Sequence, residues 1–165
     1  MSGPAELDEV LMALCPATPR LAVLGDLALA RALAARGARV LATQAGAAPR
    51  QLRKVLKPAR GAAPPALLVL RAHGLPVAAG GLDGIIAAEP PAELATLVAA
   101  LAPGRRLILV SALAGAAGLP GWLGGRAGVA RETHTRALLS AGLTDVRQVV
   151  IGRVGKLIVS HAQRG

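Results

Sequence analysis

Short, uninterrupted apolar runs recur along this chain: "RLAVLG" (20–25), "ARVLAT" (38–43), "ALLVLR" (66–71), "GIIAA" (84–88) and "RRLILVSAL" (105–113). No other feature limits the fold so strongly. A run without polar alternation belongs to a strand buried on both faces, and such strands occur in parallel sheets covered by helices. The segments between the runs carry helix punctuation. Asp26 stands at the N-cap of "LALARALAARG", and Gly37 stands where that helix must stop. "PAELDEVLMAL" (4–14), residues 48–57, "AELATLVAALAPG" (92–104, with Gly104 beyond its end) and "ARETHTRALLSAG" (130–142) supply the other helices. "LTDVRQVVIG" and "RVGKLIVSHA" meet at Gly152-Arg153, so they pair as an antiparallel hairpin. Strand–helix alternation followed by a hairpin predicts an α/β, doubly wound, mostly parallel sheet with an antiparallel strand added at one edge. One domain spans 1–165, with 1–17 as an N-terminal helix and linker.

The core of such a sheet must be aliphatic here. Apolar residues make up 53% of the chain, Phe and Tyr are absent, and Trp122 is the sole aromatic. Cys15 is the single cysteine, so no internal disulfide is possible and a reducing compartment is expected. Its position near a helix end fits a small hydrophobe. Acids at Glu6, Asp8 and Glu9 occupy the place where an export signal carries positive charge, which points to a cytoplasmic protein. Leu107 to Gly125 is uncharged and of membrane-spanning length, but it holds five glycines and Pro120. It reads as a buried strand followed by a Gly-rich loop, with no membrane span.

The formal net charge is +10. Arg50, Arg53, Lys54 and Lys57 follow i, i+3, i+4, i+7 spacing, and Arg60 extends the face they make. Such a face attracts phosphates without reading sequence. An acidic partner or nucleic acid would suit it, and so would plain solvation. The chain lacks an aromatic platform for stacking bases. His73, His134 and His161 lack metal-ligand spacing, and no metal is expected. His134 reads as a helix-surface residue. Ser111 has no Gly-x-Ser-x-Gly context, so a hydrolase triad is not expected.

Several motifs fall in one order. "GLPVAAGGLDGIIAAEP" is similar to an "LPF-x-DGSFD-x-V" signature, "LAPGRRLILV" to "L-x-PGG-x-L-x-L", and "LLSAGLTDVRQV" to "AGF-x-x-V". Together with the closing hairpin they resemble the class I S-adenosylmethionine-dependent methyltransferase family, small-molecule branch, over roughly residues 18–162. The resemblance implies a Rossmann-like sheet of seven strands in order 3-2-1-4-5-7-6, with strand 7 antiparallel. Asp83 matches the family's acid before strand four, where it supports the turn.

The same resemblance implies a cofactor site in which this sequence departs at each position. The family carries G-x-G-x-G after strand one; here Gly25 is followed by Asp26, Leu27 and Ala28, in a loop about two residues shorter. Leu27 and Ala28 are expected to occupy volume that glycine leaves free. The acid that holds ribose at the end of strand two is replaced by Thr43, followed by Gln44. The acid after strand three is replaced by Arg71-Ala72-His73. Glu89, at the carboxyl end of strand four, lies where catalytic residues often stand, or is an exposed carboxylate before a helix. Trp122 is either a core plug or an interface anchor.

The expectation is a methyltransferase-like pseudoenzyme without bound cofactor, acting through a protein partner or as a homo-oligomer. The alternatives are an active S-adenosylmethionine-dependent methyltransferase with a rewired pocket, and phosphate or nucleic-acid binding through residues 50–60. A nicotinamide-dinucleotide binder, with "GDLALA" forced onto G-x-G-x-x-G/A, fits least.

Overall fold

In a computed structural model, residues 4–15, 19–44, 48–57, 66–70, 75, 77–87, 94–112, 131–151 and 157–165 are described. The strands are β1 (Arg20–Leu24), β2 (Arg39–Thr43), β3 (Leu67–Leu70), β4 (Leu82–Ala87), β5 (Leu101–Ala112), β6 (Thr144–Ile151) and β7 (Leu157–Gln163). The helices are α1 (Pro4–Ala13), α2 (Leu27–Ala35), α3 (Pro49–Leu56), α4 (Leu94–Ala100) and α5 (Arg131–Ser140). The strands form one sheet in the order β3-β2-β1-β4-β5-β7-β6. β1 pairs in parallel with β2 and β4, β2 with β3, and β4 with β5, while β7 is antiparallel to both β5 and β6. This is the expected doubly wound sheet, with β7 inserted between β5 and β6.

Period-two side chains send each central strand into two cores at once. Leu21, Val23, Ile86 and Ile108 pack on one face against Leu29, Ala30, Leu33 and Ala34 of α2 and Leu7 and Leu11 of α1. Ala22, Ile85, Leu107 and Leu109 pack on the other against Leu97 and Ala100 of α4 and Leu138 of α5. Each fully buried Leu or Ile contributes about 2–3 kcal/mol by area removed from water. Among the described residues both cores are built from aliphatic side chains. Gly84 has a packing reason: a Cβ there would lie 2.9 Å from Leu21 Cδ2 and 3.4 Å from Cys15 Sγ. Cys15 is half-buried and its thiol is pushed up to about 11, chiefly by burial, so it behaves as the expected small hydrophobe.

Helix α4 differs from its expected span. It stops at Ala100, and Leu101 already pairs with Leu82 as the first residue of β5. Between Leu101 and Arg106 the ladder is interrupted, and regular pairing resumes at Gly84 with Arg106. Gly104, at φ +72°, turns the chain within β5 and donates its N–H to Arg164 O at 2.9 Å. The Arg164 guanidinium holds the carbonyls of Ala99 and Leu101. Pro103 stops the helix locally, and an arginine remote in sequence satisfies the carbonyls left at its end. No helix among the described residues is long and apolar enough to cross a membrane.

Candidate functional site

Ligands of open α/β sheets bind outside the carboxyl ends of the strands, where strand order reverses. In this sheet that place lies between β1 and β4, whose last paired residues are Leu24 and Ala87. Only Gly25 and Asp26 separate β1 from α2. Gly25 takes φ +76°, a conformation that disfavours side chains, and its N–H donates to Thr43 O at 2.8 Å. That bond ties the end of β1 to the end of β2. Asp26 is extended and buried, and its Oδ1 accepts from the Leu29 backbone N–H at 2.9 Å.

A helix N-terminus presents unpaired N–H groups and the positive end of the helix dipole, so it readily receives an anion. In α2 the chain supplies that anion itself, as the Asp26 carboxylate. Leu27 is buried in the core shared with α1, and Ala28 is exposed. A Cβ at Gly25 would meet nothing within 4 Å, so the crevice wall at this residue is open. Thr43 is only 4% exposed, and Gln44 beside it is half-buried. The structure thus brings Gly25, Asp26, Leu27 and Thr43 together, with one carboxylate among them that is already engaged as a cap. Arg71, Ala72, Glu89, Arg60 and Trp122 lie outside the described residues.

The basic helix is a solvent-facing feature. Arg50, Arg53, Lys54 and Lys57 are all exposed, while Leu52 packs against the core. Arg31 of α2 fixes the far end of α3. Its guanidinium donates to Lys54 O at 2.7 Å and to Lys57 O at 3.1 Å, satisfying carbonyls that a helix C-terminus leaves unpaired.

His134 corrects the surface position expected for it. It is fully buried, because α5 lays His134 and Leu138 on the sheet as an i, i+4 pair. That spacing was the available sequence signal. Nε2 lies 2.9 Å from Ser111 Oγ on β5, and Nδ1 lies 2.8 Å from Ser160 Oγ on β7. Burial lowers the imidazole pKa to about 4, so it is neutral near pH 7. A neutral ring has one N–H and one lone pair, so it donates to one hydroxyl and accepts from the other. The three residues form a clasp across α5, β5 and β7. Ser111 and His134 have the pairing of nucleophile and base, but at 1% and 0% exposure they present no surface to a substrate.

Asp83 sits at the opposite, amino-terminal edge of the parallel strands. Its carboxylate lies 3.1 Å from Arg20 Nε and 3.6 Å from Arg105 Nε. The Arg20 hydrogen bond holds its carboxyl below the usual range. Farther along the same edge, Asp145 pairs with Arg147 at 2.9 Å and Arg106 at 3.8 Å, and Arg106 reaches His161 Nδ1 at 2.7 Å. Both acids tie strands together away from the crevice. Among the described residues no group of three His, Cys, Asp or Glu could hold a metal ion.

No family model and no curated protein sequence matches the chain. Solved structures do. The S-adenosylmethionine-dependent methyltransferase SibL aligns with a TM-score of 0.70 at 20% identity, covering 97% of this chain and 55% of that one. A S-adenosylmethionine-dependent methyltransferase from Mesorhizobium loti gives 0.65 at 17% identity, covering 98% of this chain and all of the other. Geranyl diphosphate C-methyltransferase from Streptomyces coelicolor, solved with Mg²⁺, geranyl diphosphate and S-adenosyl-L-homocysteine, gives 0.63 at 14% identity over 98% of this chain and 80% of its own. The chain therefore spans little more than half of SibL and the full length of the Mesorhizobium protein.

Proposed function

Because this chain has the class I S-adenosylmethionine-dependent methyltransferase fold, we propose that it is a non-catalytic member of that architecture which works by binding a protein partner. The observation that carries this reading is the hydrogen bond from Leu29 N–H to Asp26 Oδ1. In a two-residue turn it occupies the helix end that would otherwise receive a ligand carboxylate.

The described residues do not fit the cofactor. Its ribose asks for an acceptor carboxylate at the end of β2, and the chain offers a buried Thr43 and the neutral Gln44. Its amino-acid end asks for a glycine-lined loop, and the chain offers Gly25 alone before α2 begins. Among the described residues, what is missing is therefore the ligating groups at the ends of β1 and β2, since space beside Gly25 is open. Removing charge-assisted hydrogen bonds, each contributing about 1.5–3 kcal/mol, takes away much of the affinity such a site needs. A chain with an intact sheet and no cofactor-ligating group among the described residues at β1 and β2 retains its surfaces, which supports a binding role.

The open space at Gly25 favours one second reading, an active S-adenosylmethionine-dependent methyltransferase with a rewired pocket. Equilibrium dialysis of the full chain against labelled S-adenosylmethionine separates the two. No retained label is expected; saturable retention would overturn the first reading, and label transferred to an acceptor would establish the second.

A further inference from the structure

The most unusual surface among the described residues lies at the end of the sheet opposite the crevice. A groove of about 360 Å³ runs beneath the starts of β1, β2, β3 and β4. Its lining is largely apolar, with Val40, Leu41, Leu68 and Leu82, and also includes Arg20 and Arg39. Leu68 is 61% exposed on the edge strand β3, the most exposed of the large hydrophobic residues described. A large aliphatic side chain left in water beside a groove marks an interaction surface more often than an isolated exposed leucine does.

The charge around the groove names its occupant. Arg20 and Arg39 start their strands at this edge and Arg105 lies within β5 beside Asp83, the one carboxylate paired there among the described residues. Asp83 engages Arg20 and Arg105, while Arg39 is exposed with no ion pair among the described residues. The basic helix α3 packs through Leu52 on the other face of the sheet, with Val40, Ala42, Leu67 and Val69, so the cations at the groove are Arg20 and Arg39. A second copy of a chain with net charge +10 would be repelled by this edge. A nucleic acid would neutralise the cations and leave Leu68 in water. A segment with one acidic and one aliphatic side would satisfy both.

We infer that the groove beneath β3-β2-β1-β4, with Leu68 and Arg39 at its mouth, docks an acidic amphipathic segment of a partner protein. This deepens the proposed binding role and rests on it only for the need of a partner; the groove is remote from the crevice. Four strand starts span about 14 Å at the usual strand spacing. A helix of about ten residues has that length. Leucine side chains of such a segment would cover Leu41 and Leu68, and its carboxylates would meet Arg39 and Arg20.

The test uses the full chain and a fluorescent Glu/Leu peptide of about that length with helical amphipathic spacing. Oligoglutamate of equal length and a short DNA duplex serve as comparison probes. Anisotropy at physiological salt is expected to show saturable binding of the Glu/Leu peptide alone. Leu68→Glu and Arg39→Glu are each expected to weaken it by about tenfold or more. Both residues are exposed, and unchanged circular dichroism verifies the fold. Equal binding of oligoglutamate or DNA, an unaltered affinity in Leu68→Glu, or self-association abolished by Leu68→Glu would each overturn the inference. Cofactor dialysis is read separately, so loss of one conclusion is distinguishable from loss of the other.

Discussion

The Ser111 hydroxyl lies 2.9 Å from Nε2 of His134, deep between the sheet and α5. The far side of the same ring reaches Ser160, so one imidazole joins three elements. A buried ring of this kind resists protonation, and that makes the clasp a source of pH dependence. The folded pKa is about 4 against an ordinary 6.5, so the unfolded chain binds the proton first as pH falls. Stability is therefore unaffected above pH 6.5 and decreases through the window down to about 4. From pH 7 to pH 5 the expected loss from His134 is about 2 kcal/mol. His161 is also lowered, so the diagnostic quantity is the difference between wild type and His134→Gln in urea unfolding at both values. Parallel pH slopes for the two proteins would contradict the assignment.

Asp26 makes its bond to Leu29 N–H from a buried position, as the N-cap of α2. Asp26→Ala is expected to cost about 1–2 kcal/mol, the upper end of cap substitutions, because a buried N–H loses its partner. Asp26→Asn should retain most of the stability, since an amide oxygen accepts the same bond. Denaturant midpoints at pH 7 check both. Equal losses for the two variants would mean that the negative charge, not the cap, is what matters.

Arg31 holds the last carbonyls of α3 from across the helix pair. Arg31→Ala is expected to speed amide exchange in residues 50–57 by about tenfold, with little change in β1 or β4. Unchanged protection in α3 would show that Leu52 packing alone fixes the basic helix.

Much of this architecture was written in the apolar runs. Leu21 to Val23 and Leu107 to Val110 are buried on both sides, which is why their sequence lacks alternation. Strand order followed the family resemblance, and the sheet adopts it. Helix ends set by local chemistry were equally legible: Asp26 caps α2, and Gly37 at φ +96° follows its end. Features set by distant residues were not. Arg164, just past β7 and more than sixty positions away, satisfies the last carbonyls of α4; Pro103 announces the helix end locally, but nothing nearby announces that partner. His134 and Leu138 carry the i, i+4 spacing of a buried stripe, but the two serines that satisfy the buried ring lie on β5 and β7, remote in sequence. At the crevice, sequence gave the missing glycines and the missing ribose acid, but not that Leu27 enters the core while Gly25 borders open space. The groove under β3 has no sequence signature for the same reason: its lining comes from four separate strands.

Titration calorimetry of the full chain with S-adenosylmethionine, repeated with S-adenosyl-L-homocysteine, tests the central claim most directly. The account predicts no saturable heat with either ligand up to millimolar concentration, because Asp26 holds the helix end and no carboxylate awaits the ribose at Thr43. A one-to-one isotherm with micromolar affinity for either would contradict it.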